Sequence, residues 1–581
     1  MNRFGIGILV STIVAVAGCG GDGDAVAAAA QPLSCAAAAA RVAANNPVAG
    51  TTLRITTATS QAASQSMAPH CLIEGAMNER ISAVDGKAYA IKFRMRLPDL
   101  WNEKLFMPGG GGANGTLADA SGPQSPSAPN STAWASAFSR GYAVIVTDSG
   151  HDLAVISDPG KGGAAAFGVD QQARVDFGYH SYDVVTQLGK ALVTALYARP
   201  PKHAYFIGCS EGGREAMLMT ERFPSHFDGV VAGCPAMSTP IHQAYASLLA
   251  QTFAPLVPGI VDSFGNPLIV KAYTDADIQL IATAVLKACD AQDGLVDGMV
   301  NNLAACTDAV VVPQLTAITC TPTKTASCLT AAQVSAFRTA MAGPKTSVGV
   351  QIYAGNPWDA GIGGLNGAAL NQGYRSWWLG TYDSTSNNAI KVTVSAPLHA
   401  MVHTTPPVPL TVEQNFAWEL NFNRDDTIPN ASRTTSYYTT SDIENALATS
   451  TDLTAFRKNS GKLIQYIGQA DPAVSANETI GWWNKLNLEQ GGTAASFARL
   501  FLIPGMNHGG GGPSTDKFDM LTALEDWVER GIAPDSIPAS ASTPAYFGVA
   551  SRTRPLCPYP TWAHYKGTGD INEAANFSCA L

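Results

Sequence analysis

The sequence predicts an α/β protein with a parallel central sheet and one large insertion. Strand patterns alternate with helical patterns from residue 87 to residue 222, and the alternation returns after residue 451. Between these parts, residues 238–450 are rich in Ala, Thr, Asn and Gly, with clustered cysteines and few strand–helix units. We therefore predict an α/β domain in two parts, 35–237 and 451–581, with an insertion domain at 238–450 between them.

Local patterns predict the individual elements of the two α/β parts. Segment 87–98 alternates apolar and charged residues, which indicates a strand with one face in water. Apolar runs predict further strands at 104–108, 142–147, 204–208, 462–468 and 498–504. Helical periodicity predicts helices at 182–197, 212–222 and 517–530.

Composition limits the class of protein. The 581 residues are 46% hydrophobic and 8% aromatic, which excludes a wholly disordered chain. The net charge is −9 and there is no basic run, so we expect no nucleic acid partner. We expect a monomer.

The N-terminus has the pattern of an export signal. Arg3 precedes an apolar segment, and small residues precede Cys19, which resembles the lipidation site of bacterial lipoproteins. We predict a lipoprotein-type signal peptide at 1–19, a flexible tether at 20–34 and membrane attachment through a lipid on Cys19. An ordinary cleaved signal is the alternative. The expected location is the periplasm or the outer membrane.

Ser210 is the predicted nucleophile. It lies in Gly208-Cys-Ser-Glu-Gly212, which matches G-x-S-x-G, follows an apolar strand and precedes a helix. This context is typical of the nucleophile elbow of the α/β-hydrolase fold, a tight turn that exposes the serine hydroxyl. A buried serine in a glycine-rich turn is the alternative. The predicted fold is thus an α/β-hydrolase in which the insertion follows the nucleophile.

A serine nucleophile needs a base, and the base needs an orienting acid. In this fold the chain order is Ser, Asp, His. Asp471 and His508 each follow a predicted strand; His564 also lies after Asp471 but has no strand ahead of it. We predict His508 as the base and Asp471 as the acid, although Asp471 also suits a simple turn.

The oxyanion of an acyl-transfer intermediate needs backbone N–H donors. We expect one from Glu211, directly after the nucleophile, and one from the glycine loop 109–112, which follows an early strand. A loop that is merely flexible is the alternative.

A short acidic segment suggests a metal site. Asp290, Asp293 and Asp297 fall within eight residues that also contain two glycines. Such carboxylates repel one another unless a cation or solvent separates them, and oxygen ligands suit Ca²⁺. Because the spacing is not that of an EF-hand, a solvated acidic turn remains open.

Ten cysteines follow Cys19. In an exported chain most of them should be paired. Close spacing favours the pairs 289–306, 320–328 and 557–579.

Several segments resemble the tannase and feruloyl esterase family over about residues 35–580. They are FIGCSEGGREAM, CDAQDGLVDG, RSWWLG, LIPGMNH, TRPLCPYP and YKGTGDIN. The resemblance implies an α/β-hydrolase fold with a large lid domain inserted between the nucleophile and the acid of the triad. It implies a triad of Ser210, Asp471 and His508, with oxyanion donors on Gly112 and Glu211. It implies a structural Ca²⁺ held by Asp290, Asp293 and Asp297 and by the carbonyls of Leu295 and Met299, with no organic cofactor. It also implies the disulfides Cys35–Cys71, Cys289–Cys306, Cys320–Cys328 and Cys557–Cys579.

The cysteine pattern departs from the family at one place. The cysteine before the nucleophile usually bonds a cysteine directly after the catalytic histidine, but that position is Gly509 here. Cys209 and Cys234 are therefore expected to be free thiols unless they pair with each other.

The expected substrate contacts also depart from the family. Lys391 stands where a terephthalate-specific member has an arginine that grips the substrate carboxylate, and Ser395 stands where it has a phenylalanine over the ring. The charge is kept, but the bidentate fork is lost. Gly111 and Trp377 are expected to contact the substrate as in the family. The alternatives are a solvated lysine and a tryptophan of the lid core.

The resemblance implies a serine carboxylic ester hydrolase that acts on small aromatic esters through an acyl-enzyme. The expected substrate is mono(2-hydroxyethyl) terephthalate, which would give terephthalate and ethylene glycol; esters of plant phenolic acids, as for feruloyl esterase or tannase, are the alternative. A non-catalytic binding lipoprotein and a serine peptidase are the rivals from other classes.

Overall fold

The computed structural model describes residues 32–65, 67–122, 136–364 and 373–581. The predicted signal peptide, Cys19 and most of the predicted tether lie outside the described residues. Within the described ranges, no helix is both long and apolar enough to cross a membrane.

The centre of the molecule is a sheet of nine strands in the described part of the chain. Its strands are β1 (Leu53–Gln61), β2 (His70–Ile81), β3 (Ala88–Pro98), β4 (Lys104–Pro108), β5 (Ala143–Thr147), β6 (His203–Ser210), β7 (Gly229–Pro235), β8 (Lys462–Gly468) and β9 (Ala498–Ile503). Their order is β1-β2-β3-β5-β4-β6-β7-β8-β9. The strands from β5 to β9 in this order pair in parallel, so their carboxyl ends meet at one edge.

Two small antiparallel sheets lie after the central sheet in the chain. They consist of β10 (Lys517–Phe518), β11 (Ile537–Ser540) and β12 (Thr553–Leu556), and of β13 (Trp562–Tyr565) and β14 (Phe577–Ala580).

Helices cover the sheet and build the insertion. Those of the α/β part are α1 (Cys35–Ala44), α2 (Leu153–Ile156), α3 (Gln171–Val175), α4 (Ser181–Tyr197), α5 (Glu211–Arg222), α15 (Thr454–Lys458), α16 (Ala476–Glu489) and α17 (Met520–Arg530). Those between β7 and β8 are α6 (Thr239–His242), α7 (Ala244–Phe253), α8 (Asp275–Cys289), α9 (Asp308–Ala317), α10 (Ala331–Met341), α11 (Ala396–Met401), α12 (Gln414–Asn421), α13 (Thr427–Ser432) and α14 (Asp442–Ala446). A one-turn π-helix at Lys391–Ser395 leads into α11.

Two of the element predictions need correction. The first third is not wholly parallel, because β1, β2 and β3 pair antiparallel; short connections permit antiparallel pairing, whereas parallel pairing needs a crossover. The helix predicted at 517–530 begins at Met520. Residues 517 and 518 pair with β11 instead, and Asp519 caps the helix by accepting a hydrogen bond from the Thr522 N–H.

The insertion has its own hydrophobic core. Its aromatic residues include Tyr245, Phe253, Tyr273 and Trp378, and Ala470 of the segment after β8 packs against the same core. The insertion therefore contacts the loop that carries Asp471. The domain boundaries named above stay a prediction.

Five disulfides cross-link the described residues. They are Cys35–Cys71, Cys209–Cys234, Cys289–Cys306, Cys320–Cys328 and Cys557–Cys579. Disulfides in this number indicate a protein exported to an oxidising compartment.

Candidate active site

Ser210 lies at the turn between β6 and α5. Its φ of +65° and ψ of −122° are uncommon for a non-glycine residue. The turn is tight: a Cβ on Gly208 would collide with the carbonyl oxygen of Gly212, and a Cβ on Gly212 would lie 2.6 Å from the carbonyl oxygen of Gly110. These glycines let the strand, the helix and the glycine loop approach closely around the serine.

Asp471 and His508 form a buried pair. Asp471 follows β8 and His508 follows β9, so parallel pairing brings both to the same sheet edge as Ser210. His508 Nδ1 lies 2.8 Å from Asp471 Oδ2. The N–H groups of Ala473 and Val474 donate to Asp471 Oδ1 and hold the carboxylate. This leaves His508 Nε2 as the ring nitrogen available for proton transfer.

His564, the weaker candidate for the base, lies elsewhere. It belongs to β13 of the small two-stranded sheet and stacks on Trp562 at 4.7 Å between ring centroids.

A disulfide links the serine turn to β7, close to the histidine–aspartate pair. Cys209 precedes Ser210 and is bonded to Cys234, so the two cysteines pair instead of remaining free thiols. Cys234 Sγ, an Asp471 oxygen and a His508 nitrogen all lie within 4.8 Å of one another. These residue types could hold a metal ion. The sulfur is already in a disulfide, however, and a metal binds the thiolate form of cysteine.

Hydrogen bonds hold the His508 loop. The Asn507 side chain donates to the carbonyl oxygens of Gly361, in the insertion, and of Ala470, beside Asp471. The Gly505 N–H donates to buried Asp359 of the insertion. The loop that carries His508 is therefore tied both to the lid and to the acid loop.

The two expected oxyanion donors lie directly after the nucleophile and in the glycine loop, which approaches the serine turn at Gly109 and Gly110. Glu211 is the first residue of α5, and its carboxylate accepts from Arg214 Nε at 2.7 Å. Gly112 lies in the glycine loop after β4, is exposed and has a φ of +60°. Gly111 beside it is also exposed.

Lys391 is buried, with 1% of its surface exposed, so the interpretation as a solvated lysine is wrong. Its Nζ donates to the carbonyl oxygen of Ala473 at 2.8 Å, two residues after Asp471. Burial lowers the pKa of Lys391 to about 7, while the carboxylates of Asp471 and Glu419 act in the opposite direction.

Trp377 contacts the predicted base. Its ring meets that of His508 edge to face, with centroids 5.0 Å apart, and Lys391 Nζ lies 5.8 Å from the Trp377 ring. The neighbouring Trp378, by contrast, belongs to the lid core and donates to the carbonyl oxygen of Pro472. Ser395 is buried at the end of the π-helix that begins at Lys391.

A cleft of about 420 Å³ opens beside the glycine loop. Residues of the α/β part and of the insertion line it together, and most of its lining is apolar. The lining residues include Gly111, Gly112, Leu153, Val394, Pro397, Leu398, Leu410 and Val412. The cleft can take an apolar part of a small molecule next to Gly112, the expected oxyanion donor of the glycine loop, whereas Ser210, Glu211 and His508 are not among its lining residues.

The acidic segment forms a tight loop after α8. Burial raises the pKa of both Asp290 and Asp293, and the charge of Asp297 raises them further. Arg554 pairs with the Asp297 carboxylate, and Arg552 donates to the Asp297 carbonyl oxygen. In the described part of the chain, the oxygens of Asp290, Asp293 and Asp297 do not come within 4.8 Å of one another as a set of three.

The peptide groups of Leu295 and Met299 lie in the same loop. The Leu295 N–H donates to Asp293 and the Met299 N–H to Asp297, and Gly294 between them has a φ of +89°. The possible metal ligands in this loop are carboxylate and carbonyl oxygens, which are the ligands that Ca²⁺ prefers.

Two residues near the serine escaped the sequence interpretation. Glu215 and Asn114 bind the glycine loop from its buried side. The only sequence signal for them is that Glu215 follows the G-x-S-x-G motif by one helical turn.

Residues 74–580 match the family described as tannase and feruloyl esterase, and the chain belongs to it. It is a carboxylic ester hydrolase of this family. It is 48% identical over 527 residues to the mono(2-hydroxyethyl) terephthalate hydrolase of Piscinibacter sakaiensis, and the alignment covers 89% of this chain and 86% of that enzyme. The predicted family is confirmed.

Solved structures share the fold. Feruloyl esterase B from Aspergillus oryzae matches with a TM-score of 0.67 at 22% identity, covering 94% of this chain and 99% of that one. Tannin acyl hydrolase from Aspergillus niger matches with a TM-score of 0.59 at 18% identity, covering 95% and 96%. The predicted α/β-hydrolase fold with a lid insertion is thereby confirmed.

Proposed function

We propose that Ser210, His508 and Asp471 hydrolyse a small aromatic ester through an acyl-enzyme. The observation that carries the proposal is the serine elbow at the sheet edge where the buried His508–Asp471 pair also lies. Ser210 Oγ attacks the ester carbonyl carbon while His508 Nε2 takes its proton. Asp471 holds the imidazole in the required tautomer and stabilises its charged form.

The intermediate then collapses to the acyl-enzyme. The N–H groups of Gly112 and Glu211 stabilise the oxyanion, the bond to the alcohol oxygen breaks, and His508 gives its proton to the leaving alcohol. Water attacks the acyl-enzyme, His508 takes one proton from that water, and the acid leaves as the Ser210 hydroxyl re-forms.

The proposed substrate is mono(2-hydroxyethyl) terephthalate, hydrolysed to terephthalate and ethylene glycol. The relative with 48% identity bears the name of this activity. Lys391 supports the assignment, because a buried amine close to Trp377 can pair with the free carboxylate of the monoester while the ring packs on the indole.

Esters of ferulic or gallic acid are the second candidate. Ser395 favours them by residue type, because serine is smaller than the phenylalanine of the terephthalate-specific member and its hydroxyl can bond a polar ring substituent.

Outside the catalytic site, we propose a structural Ca²⁺ held by Asp290, Asp293 and Asp297 with the carbonyls of Leu295 and Met299. The tight loop supports it, because the Asp290 carboxylate accepts hydrogen bonds from the N–H groups of Asp297 and Gly298 and Asp293 accepts one from that of Asn301, which gathers the acidic residues, and the loop offers oxygen ligands. We also propose that the protein is a monomer. We propose that it is periplasmic or anchored at the outer membrane by a lipid on Cys19, a location that the lipoprotein-type N-terminus and the disulfides support.

The test is a turnover panel with wild-type protein and Ser210→Ala. Its substrates are mono(2-hydroxyethyl) terephthalate, methyl ferulate, methyl gallate and a short-chain nitrophenyl ester. We expect the highest kcat/KM for the terephthalate monoester and no turnover by Ser210→Ala. A higher kcat/KM for ferulate or gallate would select the second candidate, and turnover by Ser210→Ala would refute the mechanism.

A further inference from the structure

The glycine loop is bound by a carboxylate on the helix that follows the nucleophile. Glu215 lies on α5 and is buried, with 1% of its surface exposed. Its Oε2 accepts a hydrogen bond from the Gly110 N–H at 2.7 Å, and its Oε1 accepts one from Asn114 Nδ2 at 2.5 Å. One carboxylate therefore contacts the loop at two points.

Asn114 connects Glu215 to the next residue of the loop, Gly111. Its Oδ1 accepts from the Gly111 N–H at 2.5 Å, and its Nδ2 also donates to Ser149 Oγ at 2.6 Å. Glu215 thus restrains Gly110 directly and Gly111 through Asn114, and Gly112 is the next residue.

Two other hydrogen bonds act in the middle of the loop: the Asn114 N–H donates to the Gly111 carbonyl oxygen, and His151 Nε2 lies 3.0 Å from the Ala113 carbonyl oxygen. The ends of the loop are bonded through the Gly109 N–H to the Ile207 carbonyl of β6 and through the Gly115 N–H to the carbonyl of Asp148, the residue after β5. A Cβ added to Gly111 or Gly112 would meet nothing within 4 Å, so side-chain packing does not hold these residues.

We propose that Glu215 is the positioning residue of the oxyanion hole. It rests on the proposed function, in which the N–H groups of Glu211 and Gly112 stabilise the oxyanion. The first donor, the Glu211 N–H, belongs to the first residue of helix α5. One turn later the same helix carries Glu215, whose carboxylate holds the loop that contains the second donor, the Gly112 N–H. The distance between the two donors is thereby set by a single rigid element, as preorganised stabilisation requires.

The test compares Glu215→Gln, Asn114→Ala and a matched control, Glu221→Gln. Glutamine at 215 keeps one oxygen for the Gly110 N–H but turns an NH₂ group toward the NH₂ of Asn114. The hydrogen bond between residues 215 and 114 is therefore lost. Glu221 is a glutamate near the other end of the same helix, where its carboxyl group bonds the Ser450 backbone and not the glycine loop. Its substitution reports on general damage to α5.

The readouts are kcat and KM on a nitrophenyl ester, inhibition by an aryl trifluoromethyl ketone, and inhibition by terephthalate. The Ser210 oxygen adds to the carbonyl carbon of the ketone and gives a hemiketal oxyanion. The product acid binds without forming an oxyanion. For Glu215→Gln we expect kcat to fall about 10- to 100-fold with little change in KM, because removal of one donor altogether costs about 10²–10³ in rate. The inhibition constant of the ketone should rise by the same factor as kcat/KM falls, and that of terephthalate should stay unchanged.

Asn114→Ala should show the same pattern with a smaller loss, and it keeps the proposal testable where Glu215→Gln does not fold. Glu221→Gln should leave kcat unchanged. The proposal is overturned if the folded Glu215 and Asn114 variants keep wild-type kcat, or if the affinities for ketone and product fall together. A wild-type protein that hydrolyses no ester would instead refute the proposed function itself.

Discussion

Lys391→Met should stabilise the protein in a pH-dependent manner. Burial lowers the pKa of Lys391 from 10.5 to about 7. At 1.36 kcal/mol per pH unit, this fall corresponds to about 5 kcal/mol that disfavours the buried ammonium relative to the unfolded chain. Methionine has a similar length and carries no charge, so it removes that cost while it loses the hydrogen bond to Ala473, worth about 1 kcal/mol.

The sign of the pH dependence follows from the lowered pKa. Below about pH 7 the amine is protonated in both states, and the folded protein bears the full cost of the buried charge. Between pH 7 and 10.5 the folded state is neutral while the unfolded chain is still charged. The cost therefore shrinks by about 1.4 kcal/mol per pH unit, and it vanishes above pH 10.5.

The assay is urea unfolding of wild type and Lys391→Met with intact disulfides. We expect the variant to be more stable by about 4 kcal/mol at pH 6 and by about 1 kcal/mol at pH 9. Lys485→Met is the matched control, because the Lys485 side chain is 60% exposed, and it should show no such trend. A stability difference that is the same at both pH values would refute the assignment of a lowered pKa.

Three further predictions concern the site and the metal. Asp471→Asn should lower kcat by about 10⁴ because the imidazole adopts the wrong tautomer, measured on a nitrophenyl ester; wild-type kcat would contradict its role. The preference for a terephthalate monoester over its carboxamide analogue should fall as pH rises above about 7, since Lys391 loses its charge there; a preference independent of pH would exclude Lys391 as the carboxylate partner. Millimolar Ca²⁺ after EGTA treatment should raise the Tm of wild type but not of Asp293→Asn, and an equal rise in both would argue against the proposed ligands.

The sequence predicted the features that depend on short stretches of chain. The apolar strands β4, β5, β8 and β9 are recognisable because each is a continuous run that suits a buried parallel strand. The elbow at Ser210 is recognisable because a tight strand-to-helix turn requires glycines at set positions. The strand β7, which contains two glycines and a proline, is absent from the predicted elements because its local pattern is weak.

Features that depend on distant residues could not be predicted in this way. Cys209 and Cys234 pair because β6 and β7 are neighbours in the sheet and their register brings the two cysteines together. The sequence of either strand alone does not indicate this register. Lys391 suits a solvated surface by residue type, and only the packing of the insertion on the Asp471 loop buries it.

By itself, the sequence determined the family, the α/β-hydrolase fold and the candidates for nucleophile, base and acid, because these depend on local patterns and on their order along the chain. Only the tertiary structure decided which groups surround those candidates. The contact of Glu215 with Gly110 spans 105 residues, and that of Lys391 with Ala473 spans 82. Hydrogen bonds and burial at such separations arise from the way strands and insertion pack, so the charge states and the positioning of the site follow from the folded chain.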